Sequence, residues 1–389
     1  MAAEPEARLP TTGDDLDAAW FTSVLAESGA GSVVAVERSV IGDGIGFVGE
    51  LHRCALTWDR VDASLPASVV VKLPSTNEKN RSLAEALAAY EREIVVYRDL
   101  STDLGLPMPA LLYADFDPHP APWLEKVLLF LFERMPLRTI NWLIDRLLRL
   151  ASKSTRNYVL VIEDIADARP PTQADGGSLE DARTALRVLA RSHAATWNDH
   201  QLAARSDNIW RLDRAPKIVM ASFLRYRDAF VERFESLVDA DQLARLDRIQ
   251  DRYVEYIEAL SQEPTVLIHG DYRLDNVLFR PDGEVVVVDY QGVGVGRPGW
   301  DVGYFITTAL DPEHRSDEAE LLATYHDELV AAGVTGYSAE ELLADVRITG
   351  DVLAHRMVCA DDLLDTDRGD GEDSLVEVLV SRVLGWTTA

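Results

Sequence analysis

The segment Leu267-Ile-His-Gly-Asp-Tyr-Arg-Leu-Asp-Asn-Val-Leu-Phe279 constrains the folding of this chain more than any other. An apolar strand runs into His269-Gly270-Asp271, and Asn276 follows within a short loop. A second apolar strand, Val285 to Val288, ends on Asp289. A fold that accepts this pattern brings two strand ends together, with Asp271 leaving one and Asp289 leaving the other. Three oxygen-bearing side chains then sit on neighbouring loops. That set suits a hard divalent cation and leaves one carboxylate to accept a proton. Phosphoryl transfer needs this combination: Mg²⁺ across the phosphates and a base on the attacking hydroxyl.

Around that segment, the hydropathy pattern divides an α+β chain of 389 residues into a sheet-rich front and a helix-rich back. In the front part, Asp14–Glu27 reads as a helix. Ser32–Val40, Glu50–Trp58 and Ser68–Leu73 read as strands, and Ser82–Leu100 as a long helix. Val127–Phe132 is expected to be a further strand, Pro136–Arg156 an amphipathic helix and Tyr158–Ile162 a strand. A Pro/Gly-rich linker, Arg169–Gly177, marks a lobe boundary. The expected division is 1–166 and 167–389, with a helical insert at about 120–157 in the first lobe. Beyond it, Leu179–Asn198, Phe223–Asp239 and Gln242–Gln262 are helical patterns, interrupted by the strands at Thr265–His269 and Val285–Asp289.

Phosphate binding is expected upstream. Gly44-Ile-Gly46-Phe-Val-Gly49 matches G-x-G-x-x-G, but a strand rather than a helix follows it. A dinucleotide fold opens a helix at that motif, whereas a glycine hairpin between two strands covers the phosphates of ATP. The second match, Gly294 to Gly299, contains Pro298, which has no N–H to offer, and reads as the exit from the Asp289 strand. Lys72 lies late in the strand Val69-Val-Val-Lys72-Leu-Pro74, where a phosphate-directed ammonium is expected. Its carboxylate partner is sought on the next helix, which offers Glu91 and Glu93. These two point to different sides, so only one can reach Lys72.

Taken together, these residues carry a resemblance. His269-Gly-Asp, Asn276 and Asp289 resemble the catalytic loop of aminoglycoside phosphotransferases, choline kinases and related small-molecule kinases. Protein kinases have Arg where Gly270 stands and Asp-Phe-Gly where this chain has Asp289-Tyr290-Gln291. The sequence Asp289-Tyr-Gln followed by Gly296-Arg-Pro-Gly-Trp-Asp301-Val-Gly-Tyr-Phe is similar to the ecdysteroid-kinase-like branch. The resemblance extends from about Val40 to the end. It implies a bilobal, protein-kinase-like fold, with ATP and Mg²⁺ as cofactors. Asp271 would be the catalytic base, Asn276 and Asp289 the metal ligands, and His269 a loop-ordering group. Asp301 would brace the loop from a helix start. A family Glu-x-x-x-Tyr pattern favours Glu93 over Glu91 as the partner of Lys72. Tyr158-Val-Leu-Val-Ile-Glu163-Asp164-Ile165 looks like the hinge that reads the adenine edge, which brings in Glu163 and Ile165.

Composition limits the partners. The chain has 38 Lys+Arg against 66 Asp+Glu, a formal charge of −28, which repels nucleic acid and anionic membranes unless a basic patch is segregated. Cys54 and Cys359 are far apart and form no C-x-x-C, as befits a reducing cytoplasm. Met1–Pro10 has no apolar core of a signal peptide, and no apolar run approaches the ~18 residues of a membrane span. A cytoplasmic location is expected. There is no H-E-x-x-H, G-x-S-x-G or Walker motif, and His193 reads as a structural histidine within a helix.

The expected partner is a small-molecule hydroxyl, and two acceptor classes remain open. The ecdysteroid-like features and the apolar insert lean towards a neutral, sterol-like alcohol. The acidic tail Asp361–Asp373 leans towards an aminoglycoside or another amino alcohol, or is simply a solvated acidic loop. The insert reads as a lid, a dimer contact or lobe packing. A reading of a different class is a catalytically silent kinase-like binding protein.

Overall fold

The computed structural model describes residues 8–25, 31–41, 49–62, 64–101, 106–118, 122–151, 156–169, 176–205, 208–310, 316–363 and 375–386. The N-terminal part begins with helix α1 (Ala18–Leu25), shorter than the expected Asp14–Glu27 because Gly13–Asp15 forms a separate 3₁₀ turn. Asp17 caps α1 by accepting from the Trp20 N–H at 2.8 Å. Strands β1 (Val33–Ile41), β2 (Gly49–Trp58) and β3 (Ser68–Pro74) follow. They join β4 (Leu111–Phe116) and β5 (Tyr158–Glu163) in one antiparallel sheet of order β1-β2-β3-β5-β4.

Side-chain alternation along β3 sets the geometry of the site. Val69, Val71 and Leu73 pack with Trp20, Phe21 and Leu56 on one face of the sheet. Val70 turns to the opposite face, towards Ile94 and Tyr97, and the period of two sends Lys72 the same way. The expected helix Ser82–Leu100 is broken there. Helix α2 (Glu78–Ala86) ends, Ala88 takes a left-handed conformation (φ 50°), and α3 (Ala89–Val95) runs on through a π-helical turn, Val96–Leu100.

Between β4 and β5 stand two helices, α4 (Pro122–Phe132) and α5 (Leu137–Ala151). The strand expected at Val127–Phe132 is therefore helical. The run has Leu and Phe rather than β-branched residues after Val127, and helical spacing lets Leu128, Leu129 and Phe132 meet Ile140. The edge strand is Leu111–Phe116, half-buried at every position and so without the alternation that marks a strand. The insert also packs on the helical part, through Ile140 against Ala221 and the Asn141 amide donating to Ala221 O at 2.8 Å.

The C-terminal part holds α6 (Leu179–Ala195), α7 (Leu202–Arg205), β6 (Trp210–Arg211), α8 (Pro216–Arg233) and α9 (Ala240–Ala259). The short strands β7 (Val266–Ile268), β8 (Val277–Phe279), β9 (Val285–Val287) and β10 (Gly294–Gly296) come next. Helices α10 (Gly299–Ala309), α11 (Glu318–Ala331), α12 (Ala339–Leu363) and α13 (Leu375–Gly385) complete the described chain. β7 pairs with β10, and β8 with β9 in the register Val277↔Val287. That register carries Asn276 and Val288 to the same end of the hairpin. No helix among the described residues is long and apolar enough to cross a membrane.

Candidate active site

Lys72 projects from β3 between two carboxylates. Its Nζ lies 2.8 Å from Glu93 Oε2 on α3 and 2.8 Å from Asp289 Oδ1 at the end of the β9 strand. Glu91, two residues from Glu93, instead pairs with Arg156, which also reaches Glu85 at 3.6 Å. Of the two candidates on the helix, Glu93 is the one that meets Lys72. Burial opposes the charge of Lys72, but Asp289 and Glu93 more than compensate and raise its pKa. Burial also pushes the Asp289 carboxyl up, and here Lys72 prevails, so the net shift is downward. For Glu93, which is more deeply enclosed, burial outweighs Lys72 and the carboxyl titrates above its ordinary range.

The loop after β7 is fixed from behind. Asp301, in the first turn of α10, accepts from the His269 N–H at 2.6 Å and from the Gly270 N–H at 2.9 Å. It also lies 3.1 Å from His193 Nε2, and His193 Nδ1 lies 2.8 Å from the Tyr325 hydroxyl. His193 thus has a structural place beneath the loop. Gly270 is left-handed (φ 82°), and a Cβ on it would stand 2.0 Å from Gly292 O, so only glycine fits. His269 faces Val288 O through Nε2 at 3.1 Å, which ties the loop to the residue before Asp289.

Asp271 emerges from this loop with its Oδ2 accepting from Asn276 Nδ2 at 3.1 Å and from Arg273 Nε at 3.3 Å. Asn276 Nδ2 also donates to Asp271 O at 2.8 Å, and Asn276 O accepts from the Val288 N–H at 3.0 Å. The Asn276 amide is oriented by these bonds so that its Oδ1 remains uncommitted among the described residues. Asp289 sits at φ 67°, a conformation a non-glycine residue rarely adopts, at the junction between β9 and the 3₁₀ turn Tyr290–Gly292. The structure therefore joins Lys72, Glu93 and Asp289 directly, and joins Asp271, Asn276 and His269 to them through Val288.

The remaining expected residues lie at the margins of this group. Gly44 and Gly46 fall outside the described residues. Gly49 opens β2 opposite Pro74, and a Cβ there would come within 3.1 Å of both Leu73 O and Lys72 Cε. Glu163 pairs with Val69, three residues along β3 from Lys72, or roughly 10 Å away. Its carboxylate is held by Arg280 Nη2 at 2.9 Å and by the Ala110 N–H at 3.3 Å. Ile165 is buried and its carbonyl accepts from Ala168 N, while its own N–H has no partner among the described residues. Most of the acidic tail, from 364 to 373, also lies outside the described residues.

Two neighbours of Asp271 escape a motif search. Arg273, 8 % exposed at its side chain, bridges Asp271 and Asp275, the latter at 3.2 Å. Tyr304, one turn after Asp301 on α10, faces the Asp271 carboxylate, and burial together with that negative charge raises its hydroxyl pKa far above the ordinary value. Arg273 stands inside the catalytic-loop motif, flanked by two acids, and that spacing is the signal that could have found it. Tyr304 gives no such signal, since its approach depends on how α10 is laid down.

With this geometry in view, comparisons with known proteins identify the fold. No curated protein matches the sequence. The solved structure of choline kinase from Cryptosporidium parvum superposes with a TM-score of 0.53 at 11 % identity, over 90 % of this chain and 87 % of that one. A microcompartment-associated aminopropanol kinase superposes with a TM-score of 0.50 at 14 % identity, over 90 % of each chain. The antiparallel sheet followed by a helical C-terminal part is thus the kinase-like fold of these enzymes, and residues 144–333 match the model of the ecdysteroid kinase-like family.

Proposed function

We propose that this chain is an ATP- and Mg²⁺-dependent kinase that transfers the γ-phosphate to a hydroxyl of a small molecule. The observation that carries this reading is the meeting of Lys72 with Glu93 and Asp289, beside an Asp271 oriented by Asn276. Lys72 is a fixed cation for the phosphates, and Glu93 orients it. The loop from Gly44 through Gly46 to Gly49 covers the phosphates, and the Glu163–Ile165 backbone reads the adenine edge. Asn276 Oδ1 and the second oxygen of Asp289 suit a divalent ion. Two protein oxygens are too few to cage it alone, which matches the way Mg²⁺ is shared with substrate phosphates. When bound, that ion neutralises charge on the transferring phosphoryl group.

Asp271 takes the proton of the acceptor hydroxyl at its carboxylate and aligns the oxygen for in-line attack. His269 keeps the loop tied to the Asp289 strand. We place the lobe division at 166/167, and the two buried, free thiols of Cys54 and Cys359 accord with a cytoplasmic location. By name, the two superposed kinases act on choline and aminopropanol, and the family match is to the ecdysteroid kinase-like family. The acceptor is accordingly a sterol-like or other neutral alcohol, or an amino alcohol of the aminoglycoside kind.

Acceptor-stimulated ADP release, measured over a panel of hydroxylated sterols, aminoglycosides, choline and sugars, chooses between these acceptors. With the acceptor in hand, Asp271→Ala should cut turnover by about 10²–10⁴-fold while Mg–ATP still binds. Undiminished transfer by the variant rejects Asp271 as the base. Nucleotide binding without transfer to any acceptor would favour the silent binding protein.

A further inference from the structure

Arg92 lies beside Glu93 on α3 and is 6 % exposed. Its guanidinium donates to three carbonyls from three separate segments. Nη2 reaches Leu87 O at 2.8 Å, just before the left-handed Ala88 that divides α2 from α3. Nε reaches Asn208 O at 2.8 Å, and Nη1 reaches Gln291 O at 2.7 Å, two residues beyond Asp289. The face of the Trp210 ring lies 4.3 Å from the guanidinium carbon, and Arg214 covers the same ring at 3.9 Å. A planar fork with its donors in fixed directions can hold three acceptors only in one mutual arrangement.

We propose that Arg92 is a positioning residue that registers α3 against the Asp289 turn and so sets the spacing of Lys72, Glu93 and Asp289. The inference rests on the kinase reading of that site. Adjacent helical residues project about 100° apart, so Glu93 can face Lys72 while Arg92 faces the C-terminal part. A shift of α3 relative to the Gln291 carbonyl would carry Glu93 with it. Lys72 would then be drawn towards Asp289 alone, in a geometry no longer matched to the phosphates. The three bonds are short and involve a charged donor, which makes them stronger than ordinary amide contacts. A lysine at position 92 keeps the charge but has no fork, and cannot serve Leu87, Asn208 and Gln291 together.

The test uses the full chain and a non-hydrolysable ATP analogue with Mg²⁺, titrated by calorimetry, alongside the KM for ATP and kcat from ADP release. Arg92→Lys should weaken analogue affinity and raise the ATP KM by roughly ten- to a hundredfold, the scale of a misplaced catalytic group. Arg245→Lys is the control. Arg245 bonds Asp351 at 2.7 Å and Trp386 O at 2.9 Å, away from the site, and its replacement should lower the melting temperature without moving affinity or KM. If Arg92→Lys does not fold, Trp210→Leu, which removes the ring that aims the guanidinium, should move the same quantities in the same direction by less. Wild-type affinity and KM in a folded Arg92→Lys overturn the inference and leave the kinase reading standing. Failure of the wild-type chain to bind the Mg–analogue at all overturns both.

Discussion

Asp289 and Asp301 are two carboxylates on either side of one loop, and their surroundings are opposite. Asp301 is fully enclosed, and its two oxygens meet two backbone N–H groups and a histidine nitrogen. Asp289 is 32 % exposed at its side chain, and Lys72 is its one hydrogen-bond partner among the described residues. A buried acid with both oxygens engaged is architecture, because no ligand can reach it. A partly open acid with one oxygen unengaged, held in a strained backbone conformation, is where a ligand can bind. The same contrast separates the front of the loop, where Asp271 and Asn276 keep free acceptors, from its back, where His193 and Tyr325 complete the Asp301 network.

The sharpest way to break that contrast is to neutralise each acid in turn. Asp301→Asn replaces an acceptor oxygen with a donor amide facing donors, and should cost about 3–5 kcal/mol of unfolding free energy, with activity lost alongside. Asp289→Asn leaves Lys72 its Glu93 partner, so stability should change by no more than about 1 kcal/mol. Its turnover should nevertheless fall by about 10²–10³-fold. Denaturant unfolding and ADP release on both variants decide the matter. Equal stability losses would mean that Asp289 is architecture as well.

A smaller effect comes from two left-handed glycines in the same region. Gly270 and Gly283 have φ of 82° and 90°, but a Cβ on Gly270 would meet Gly292 O at 2.0 Å, whereas one on Gly283 would meet nothing within 4 Å. Gly283→Ala should cost about 1 kcal/mol, the intrinsic penalty of the conformation. Gly270→Ala should cost roughly 2–3 kcal/mol and reduce turnover, because relieving the clash displaces Asp271. Matching costs would show that the loop is less tightly seated than the contact with Gly292 requires.

Much of the front of the site was legible in the sequence because its residues are tied to local pattern. Lys72 follows from alternation along a strand, and Asp271, Asn276 and Asp289 follow from strand ends separated by short loops. The choice between Glu91 and Glu93 needed family pattern, since both lie on the same helical turn and only packing decides which face meets Lys72. Arg92 was invisible for a different reason. Its acceptors at Asn208 and Gln291 are backbone carbonyls 116 and 199 residues away, and a carbonyl has no residue identity to recognise. Helix α4 and strand β4 were not legible because partners outside each segment set their burial. Phe132 reaches Ile140 and Ala221 rather than forming a sheet face, and β4 divides its side chains between two cores, Leu111, Ala114 and Phe116 on one and Leu112 and Tyr113 on the other.

His355 tests the back of the molecule where it is incompletely satisfied. It is buried between the rings of Phe223 and Tyr253, at 4.2 and 4.4 Å between centroids. Its Nε2 lies 2.6 Å from Gln250 Oε1, and because the Gln250 amide donates to Met220 O, that contact requires the imidazole proton on Nε2. Nδ1 meets no hydrogen-bond partner among the described residues, so a second proton would be buried without an acceptor. Burial, with Arg356 adding to it, pushes the His355 pKa down to about 3. The folded pKa is below the unfolded one of about 6.5, so the unfolded chain binds more protons in acid. The stabilisation is complete above pH 6.5 and declines as the pH falls towards 3, by about 2 kcal/mol at pH 5. His355→Phe keeps the stacked shape, loses the Gln250 bond at every pH and removes this titration. The stability difference between wild type and variant should therefore shift by about 2 kcal/mol in favour of the variant between pH 7.5 and pH 5. A difference that stays flat across that range would mean that His355 finds an acceptor when protonated.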